Sequence, residues 1–176
     1  PEKALEAMIH QTEARHPGIS SVGRDGFGYY DRLGYVPYPE VHEATAKTLE
    51  YAYADWCVAR FADSIGRKEI ADTYYRKALN YRNLYYPDYG FMWAKDANGK
   101  WRDAFDSTEW GGPFTEGSSW HWTWSVLHDP EGLSRLMGGH TAMEARLDSM
   151  FTAPNTYNYG TYGFVIHEIA EMVALD

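Results

Sequence analysis

The sequence predicts a mainly α-helical protein, in which helical hairpins are joined by long loops rich in glycine and aromatic residues. Helical periodicity covers two adjacent stretches, residues 40–65 and 68–85. The connection between them is so short that the two helices must be antiparallel neighbours, which makes them an αα-hairpin. No repeat of fixed period supports a solenoid. We therefore expect a barrel of helical hairpins whose loops gather at one end around a cleft.

The N-terminal part contains one short predicted helix and a long loop. Apolar residues recur at helical spacing over residues 2–15 and predict a helix, which the Pro17-Gly18 pair should stop. Residues 17–39 are rich in Gly, Tyr and Pro and predict a loop. Loops of this length in compact domains are often functional.

The helix predicted at residues 40–65 is expected to be the most buried element. Its apolar surface is so wide that more than one side should be covered. Gly66 is suited to end it, because glycine adopts a positive φ after a helix without strain. Within this helix, Cys57 is expected to be a buried thiol. Glu50 and Asp55 are expected to cap or bridge neighbouring elements rather than to carry chemistry.

The C-terminal half is predicted to alternate between turns and short helices. Pro87-Asp88-Tyr89-Gly90 predicts a turn. Asp96–Lys100 predicts the tip of a hairpin whose short strands are Phe91–Trp93 and Trp101. Ser118 or Ser119 is a strong N-cap for a helix that extends to Leu127. The remaining predicted elements are a helix at Pro130–Met137, a break at Gly138-Gly139, a helix at Thr141–Phe151, a loop over residues 152–163 and a last helix that starts near Gly163.

Composition limits the classes of partner. The formal net charge is -9 over 176 residues, which argues against nucleic acid and against anionic membrane surfaces. The sequence has no run of 18 apolar residues that would span a bilayer. With a single cysteine, no internal disulfide is possible. Because the chain opens on Pro1 and closes at Asp176 within a predicted helix, we expect a fragment of a longer protein.

The strongest candidate for chemistry is the glycine-rich loop Gly111–Gly117, which leads into a segment with three tryptophans. The loop delivers one carboxylate, Glu116, to the start of that segment. Aromatic faces suit the C–H faces of sugar rings. A carboxyl group desolvated against Trp110, Trp120 or Trp122 would favour its neutral form and suit general-acid work, although a helix starting at the next serines would favour the ionised form. The alternative is a helix cap followed by core tryptophans, with Glu116 solvated at the rim, and spacing alone leaves both open.

A glycosidase needs a second carboxylate across the scissile bond, and the spacing does not identify it. Asp103, Asp106 and Glu109 are near in sequence, but each is expected to be a solvated loop charge.

Motifs for other chemistries are incomplete or missing in the sequence. The segment His167-Glu168-Ile169-Ala170-Glu171 is similar to half of a zinc-binding helix and lacks the second histidine. No metal site is therefore predicted within the chain. His121 and His128 are expected to be core or capping residues. The sequence contains no nucleophile elbow, phosphate loop or dinucleotide fingerprint.

Several motifs, in consistent order over nearly the whole chain, resemble the catalytic domain of glycoside hydrolase family 92. They are Gly34-Tyr35-Val36-Pro37, Thr48–Trp56, Tyr81–Leu84, Thr115-Glu116-Gly117 with Trp120, His128-Asp129, and Gly132-Leu133 with Met137-Gly138-Gly139. The resemblance implies a calcium-dependent, inverting exo-α-mannosidase that acts on α-mannosides such as α-1,2 linkages. It also implies an (α/α)6 barrel behind an N-terminal β-sandwich. Residues 1–176 would then be part of that barrel, with the β-sandwich and the C-terminal part of the barrel outside the chain.

The resemblance assigns roles to few residues of this chain. Glu116, within Thr-Glu-Gly, resembles the family's general acid, and Trp110, Trp120 and His121 are expected to contact the substrate. The family usually has Asn where Ser118 stands and Gln where His121 stands. The general-base aspartate and most calcium ligands of the family belong to motifs beyond the end of the chain, and its sugar-binding Trp-Asp segment lies before the start.

The resemblance also implies partners and a location. We expect mannose-containing glycans as substrates, and a bacterial protein that is secreted or periplasmic. An open part of a barrel exposes apolar surface, so the fragment is expected to self-associate or to pair with the missing part of the barrel. Two other functions remain open: a non-catalytic helical carbohydrate-binding or interaction module, and a different α/α-barrel hydrolase or lyase.

Overall fold

The computed structural model describes residues 1–153 and 158–159. Over these residues the fold is mainly helical with one short β-hairpin, as predicted. In chain order, the elements are α1 (Glu2–Gln11), α2 (Phe27–Leu33), α3 (Ala44–Ser64), α4 (Lys68–Lys77), a 3-10 helix (Ala78–Leu84), β1 (Tyr85–Tyr86), β2 (Phe91–Met92), α5 (Ser119–Trp122), α6 (Pro130–Met137) and α7 (His140–Thr152).

Helix α3 is the central element, and it is buried on more than one side. It contacts α1, α4 and the 3-10 helix. Gly66 follows it with a φ of 77°, which turns the chain into α4 and confirms the predicted αα-hairpin. Two apolar clusters lie along α3. Leu49 and Ala52 pack with Tyr81, Leu84, Met92 and Leu133, whereas Val58, Ala59 and Ala62 pack with Leu5 and Ala71.

A buried ion pair fastens the segment around α2 to α3. Asp55 is fully buried, and Arg24 Nη2 lies 2.8 Å from its Oδ1. The Tyr30 hydroxyl, on α2, donates to Asp55 Oδ2 at 2.8 Å. Burial raises the pKa of Asp55, although Arg24 acts against that change. The bridging role expected of Asp55 is therefore confirmed. Glu50 is exposed and its side chain forms no hydrogen bond or ion pair with the described residues, so the structure does not give it the bridging role expected. Cys57 is only half-buried, so the buried thiol expected there is wrong.

The predicted loop at residues 17–39 contains a helix that the sequence did not reveal. Gly26 and Gly34 flank α2 with φ values of 72° and 74°. These glycines, which predicted a loop, in fact start and end a helix of 7 residues. Helix α1 ends at Gln11, four residues early, because the Thr12 hydroxyl contacts the Ile9 carbonyl oxygen (2.7 Å) and the buried Tyr74 hydroxyl (2.7 Å).

Two helix boundaries and one strand pairing also differ from the prediction. The helix expected at residues 40–65 starts at Ala44, and the one expected at residues 68–85 is divided into α4 and a 3-10 helix. The β-hairpin pairs β2 with β1 around the predicted turn at Pro87–Gly90, so the predicted pairing of Phe91–Trp93 with Trp101 is wrong. The tip at Asp96–Lys100 is also present, and it is closed by a single bridge between Lys95 and Trp101.

Helix α5 is much shorter than predicted. Ser118 caps it as expected, but it ends at Trp122 instead of Leu127. The chain turns there because the Thr123 hydroxyl accepts a hydrogen bond from the Met92 N–H of β2 (3.0 Å) and Val126 enters the core. Trp120 and Trp124 therefore do not share one helix face.

The last two described helices agree with the prediction. Helix α6 has the predicted bounds and is capped by Asp129, whose Oδ1 accepts from the Gly132 N–H at 2.8 Å. Gly138 ends it with a φ of 100°. The helix predicted from Gly163 lies outside the described residues. None of the described helices is long and apolar enough to cross a membrane.

Candidate active site

The Glu116 loop, defined as Gly111–Gly117, has a fixed shape. The Gly111 N–H donates to the Gly117 carbonyl oxygen at 2.9 Å, which brings the two ends of the loop together. Between them, Phe114 is fully buried, and its ring centroid lies 6.1 Å from that of Trp93. A closed backbone and a buried aromatic anchor leave the loop little freedom.

The Glu116 loop also caps the central helix. Helix α3 has no side-chain cap at its N-terminus. Instead, the Pro113 carbonyl oxygen accepts from the N–H groups of Thr45 (2.9 Å) and Ala46 (3.2 Å). The Gly112 carbonyl oxygen accepts from the Glu43 N–H at 3.2 Å. The loop thus satisfies backbone donors that the start of a helix leaves unpaired, so its position is tied to the core of the fold.

Glu116 is held in a backbone conformation that residues with a side chain rarely adopt. Its φ is 43°, in the left-handed region. The residues on both sides are fixed by Trp122. The Trp122 Nε1–H donates to the Thr115 carbonyl oxygen at 2.8 Å, and a Cβ on Gly117 would lie 3.0 Å from Trp122 Nε1. Strained residues of this kind cluster at functional sites.

The side chain of Glu116 is exposed. It has no hydrogen bond or ion pair with residues in the described part of the chain. Of the two alternatives that spacing left open, the described residues therefore agree with a solvated Glu116 and not with one buried against Trp110, Trp120 or Trp122. The opposing effect of a helix dipole is small, because α5 has only 4 residues and its capping box is formed by Ser118 and His121.

Of the three predicted substrate-binding residues, Trp120 and His121 lie on α5 and Trp110 packs against it. Their contact with substrate stays a prediction. Trp120 is half-buried and lies edge-to-face on Phe91, with ring centroids 4.7 Å apart. Trp110 is 3% exposed and lies edge-to-face on His121 at 5.2 Å. His121 Nδ1 accepts from the Ser118 N–H at 3.1 Å, and burial lowers the pKa of this histidine.

The capping role expected for the two histidines is confirmed within the described residues. His121 completes the capping box of α5. His128 Nε2 lies 2.8 Å from the Ala78 carbonyl oxygen, and its ring packs edge-to-face on Tyr81 at 5.6 Å.

Of the three nearby carboxylates, only Asp103 is a solvated loop charge. Glu109 forms a two-point ion pair with Arg102, at 2.6 Å and 3.0 Å, and its side chain is 15% exposed. Asp106 accepts hydrogen bonds from the Thr108 N–H and hydroxyl at 2.8 Å and 2.7 Å. Burial acts to raise the pKa of Asp106, but these hydrogen bonds outweigh it and lower the pKa. The solvated roles expected for Glu109 and Asp106 are therefore wrong.

Metal ligands do not cluster in residues 1–153 and 158–159, where no group of three or more His, Cys, Asp or Glu side chains is placed to hold an ion. The His167–Glu171 segment lies outside the described residues. Among the described residues, one surface cavity lies beside Tyr89 and another beside Arg32, and neither is lined by Glu116, Trp120 or His121.

Sequence reasoning missed the supports of the Glu116 loop. No pattern around Phe114 distinguishes a buried anchor from an exposed aromatic residue. The capping of α3 by Pro113 is formed by backbone groups, which leave no trace in side-chain identity. The Arg102–Glu109 pair left no signal beyond two opposite charges seven residues apart, both after the predicted hairpin.

Comparison with known proteins gives three consistent results. The family model described as the glycosyl hydrolase family 92 catalytic domain matches residues 1–172. An inverting mannosidase of family GH92 from Bacteroides thetaiotaomicron VPI-5482 has a solved structure that is 83% identical, with a TM-score of 0.83, over 99% of this chain and 24% of that chain. A second solved structure, a family GH92 α-mannosidase from Bacteroides thetaiotaomicron, is 34% identical with a TM-score of 0.77, over 86% of this chain and 19% of that one.

A curated protein from Arthroderma benhamiae, described as an uncharacterized secreted glycosidase, is 27% identical over 82% of this chain and 23% of its own length. The chain thus spans about a quarter of the length of the relatives that it matches.

Proposed function

Because this chain belongs to glycosyl hydrolase family 92, we propose that it is part of an exo-acting, inverting α-mannosidase in which Glu116 is the general acid. The family resemblance noted in the sequence and the predicted fold class, a mainly helical part of an (α/α)6 barrel, are both confirmed by the match and by the likeness to the Bacteroides structure. The observation that carries the catalytic proposal is Glu116 itself, an exposed carboxylate with a φ of 43° on a loop anchored to the core.

The proposed chemistry is protonation of the departing oxygen. Glu116 donates its proton to the glycosidic oxygen, while a water on the opposite face of the sugar attacks the anomeric carbon. The bond between that carbon and the glycosidic oxygen breaks, and the configuration at the carbon inverts. An inverting enzyme needs its two carboxyl groups roughly 6.5–9.5 Å apart, so that the water fits between them.

Glu109 is a poor candidate for the general base, although its carboxylate approaches the Glu116 loop. Its Oε1 would lie 3.2 Å from a Cβ on Gly112. Both of its oxygens are held by Arg102. A carboxylate in a two-point ion pair is poorly placed to accept a proton from water. We therefore propose that the general-base aspartate lies outside residues 1–153 and 158–159, as the family resemblance implies.

Calcium is proposed for the complete protein and not for this chain. Among the described residues, no three His, Cys, Asp or Glu side chains are placed to hold an ion together, whereas calcium takes six to eight oxygen ligands. The described residues therefore do not fit a calcium site, and no step of the chemistry above depends on the ion.

The substrates proposed are mannose-containing glycans, with α-1,2 linkages as the favoured type. The names of the two Bacteroides relatives support mannose as the sugar. Secretion or a periplasmic location is proposed because the curated fungal relative is described as secreted. The family match favours this function over a non-catalytic module or a different α/α-barrel hydrolase or lyase.

The test is the Glu116→Gln variant of the complete protein on two kinds of substrate. For α-mannobiose, whose leaving group is poor, kcat/KM should fall by about 10²–10⁴, the usual contribution of a general acid. For 2,4-dinitrophenyl α-mannoside, whose leaving group needs no proton, the loss should be far smaller. Glu50→Gln, an exposed glutamate on α3, is the matched control and should leave both rates unchanged. Equal losses on both substrates would sink the general-acid role.

A further inference from the structure

A surface cavity, here called the Tyr89 cavity, lies beside the β-hairpin and is not lined by Glu116. The Tyr89 cavity has a volume of about 480 Å³, within the roughly 300–1,000 Å³ of pockets that hold small ligands. Its lining residues are Tyr86, Tyr89, Gly99, Lys100, Trp101, Arg102, Asp103, Ala104 and Phe105.

The aromatic wall of the Tyr89 cavity is rigid at one end and open at the other. Trp101 is stacked on Tyr86, with ring centroids 4.3 Å apart and planes 5° apart, and Lys95 Nζ lies 4.1 Å from the Trp101 centroid. Tyr89 is stacked on Phe105 at 4.2 Å and is nevertheless 47% exposed. One face of Tyr89 is therefore fixed, and the opposite face is available to a flat ligand.

The rim of the Tyr89 cavity is polar but carries no excess charge. Lys100 Nζ and Asp103 Oδ2 are 2.9 Å apart, and their side chains are 66% and 83% exposed. The Arg102 guanidinium is engaged by Glu109. A phosphate or carboxylate ligand would thus meet only cations that are already paired. An ammonium beside a carboxylate matches neighbouring hydroxyl groups, which both donate and accept hydrogen bonds.

The Tyr89 cavity is connected to the Glu116 loop through the rings of Phe105 and Trp93. Phe105 lies edge-to-face on Trp93, with centroids 5.0 Å apart, and Trp93 packs on Phe114, the anchor of the loop. The two sites therefore share one aromatic support, and their relative position is fixed by packing.

We propose that the Tyr89 cavity is an auxiliary subsite for a neutral hexopyranose unit of a glycan, stacked on the open face of Tyr89 and hydrogen-bonded by Lys100 and Asp103. This inference rests on the proposed function, because the glycan is the one on which Glu116 acts. The subsite holds a sugar away from the scissile linkage. It raises the affinity for long or branched mannans without taking part in bond cleavage.

The experiment measures retention of the complete protein by native electrophoresis in gels that contain soluble yeast α-mannan. All variants carry Glu116→Gln, so that the polysaccharide is not consumed. Tyr89→Ala should raise the apparent Kd for mannan about fivefold or more, whereas Tyr89→Phe, which keeps the ring, should bind within twofold of the parent. Tyr53→Ala is the matched control, because Tyr53 is 38% exposed and stacked on Trp56 outside the cavity. Its retention should not change.

A second pair of measurements separates this proposal from the proposed function. With Glu116 restored, Tyr89→Ala should raise the KM for mannan and leave kcat/KM for 2,4-dinitrophenyl α-mannoside unchanged. If the aryl mannoside is cleaved but Tyr89→Ala binds mannan as well as the parent, the subsite is wrong and the enzyme assignment stands. If mannan is retained through Tyr89 but no mannoside is cleaved, the subsite stands and the enzyme assignment is wrong.

If Tyr89→Ala fails to fold, the double variant Lys100→Ala/Asp103→Ala decides, because both side chains are exposed. If the mannan gel retained this double variant as strongly as the parent, the proposal would be overturned.

Discussion

Glu116→Gly is the substitution that best separates catalysis from stability at the Glu116 loop. A residue with a side chain at positive φ is strained by about 1–2 kcal/mol, and the φ of Glu116 is 43°. Glycine removes this strain but has more freedom to lose on folding, at about 0.5–1 kcal/mol. The exposed carboxylate has no hydrogen bond or ion pair with described residues that would be lost. We therefore expect Glu116→Gly to gain about 0.5–1 kcal/mol of stability while activity on α-mannobiose is lost.

The assay is thermal unfolding of the complete protein, monitored by differential scanning fluorimetry. A gain of this size raises the melting temperature by about 1–4 °C for a cooperative unit of 150–250 residues, and by less for a larger unit such as the complete catalytic domain. Two controls frame the result. Glu116→Gln keeps the strained backbone and should lose activity without gaining stability. Glu43→Gly makes the same substitution at a φ of 55°, and it should gain stability and keep activity.

If Glu43→Gly raises the melting temperature and Glu116→Gly does not, the predicted gain of stability at position 116 is refuted. That result would mean that the Glu116 backbone is unstrained in the complete protein, or that its carboxylate contributes stability. An inactive and stabilised Glu116→Gly, beside an inactive and unstabilised Glu116→Gln, is the pattern of a residue kept for chemistry at the expense of stability.

Two further predictions concern buried charge. Asp55→Ala leaves Arg24, which is 5% exposed, without its ion-pair partner, so the free energy of unfolding should fall by about 3–5 kcal/mol. Urea denaturation measures this loss, and a loss below about 1 kcal/mol would contradict it. For Asp129, burial acts to raise the pKa, but hydrogen bonds from Tyr81, Arg82 and the Gly132 N–H lower it. Its stabilisation is thus present above the ordinary pKa of 3.8 and lost as the pH falls through the lower folded value. The stability gap between the wild type and Asp129→Asn should be constant above about pH 5 and shrink below pH 4. A gap that widens in acid would show that the sign is wrong.

Local rules predicted the parts of the fold where one residue decides the backbone. Asp129 followed by Pro130 starts α6, and Gly138 ends it, because an Asp cap, a proline in the first turn and a glycine with positive φ each act within a few residues. Gly66 predicted the turn between α3 and α4 for the same reason. The same signals were ambiguous for α2, since Gly26 and Gly34 suit a loop as well as the two ends of a short helix.

Boundaries set by tertiary contacts could not be predicted. Helix α5 stops at Trp122 because Thr123 bonds to the N–H of Met92, a contact across 31 residues. No periodicity in the segment records that partner. Likewise, the sequence predicted a solvated charge at Glu109. In the structure, the bridge between Lys95 and Trp101 places Arg102 next to Glu109, and the two form an ion pair. The sequence contains the charges, but the fold decides which of them meet.

The candidate site shows the same division between what is local and what is not. The Thr115-Glu116-Gly117 motif directed attention to this loop, but spacing alone left open whether the surrounding tryptophans desolvate Glu116. Trp110 and Trp122 instead support the loop from within, through Trp122 Nε1 to the Thr115 carbonyl oxygen and through the packing of Trp110 on His121.

A general acid must hold its proton until the substrate arrives, which an exposed carboxyl group does poorly at neutral pH. The described residues fix where Glu116 is, but they do not cover it. We infer that the covering groups come from the rest of the protein, since this chain spans about a quarter of the length of its relatives. Rigidity and desolvation of the same carboxylate are then supplied by different parts of the protein. Separate expression of this chain should therefore preserve the loop and still lack the chemistry.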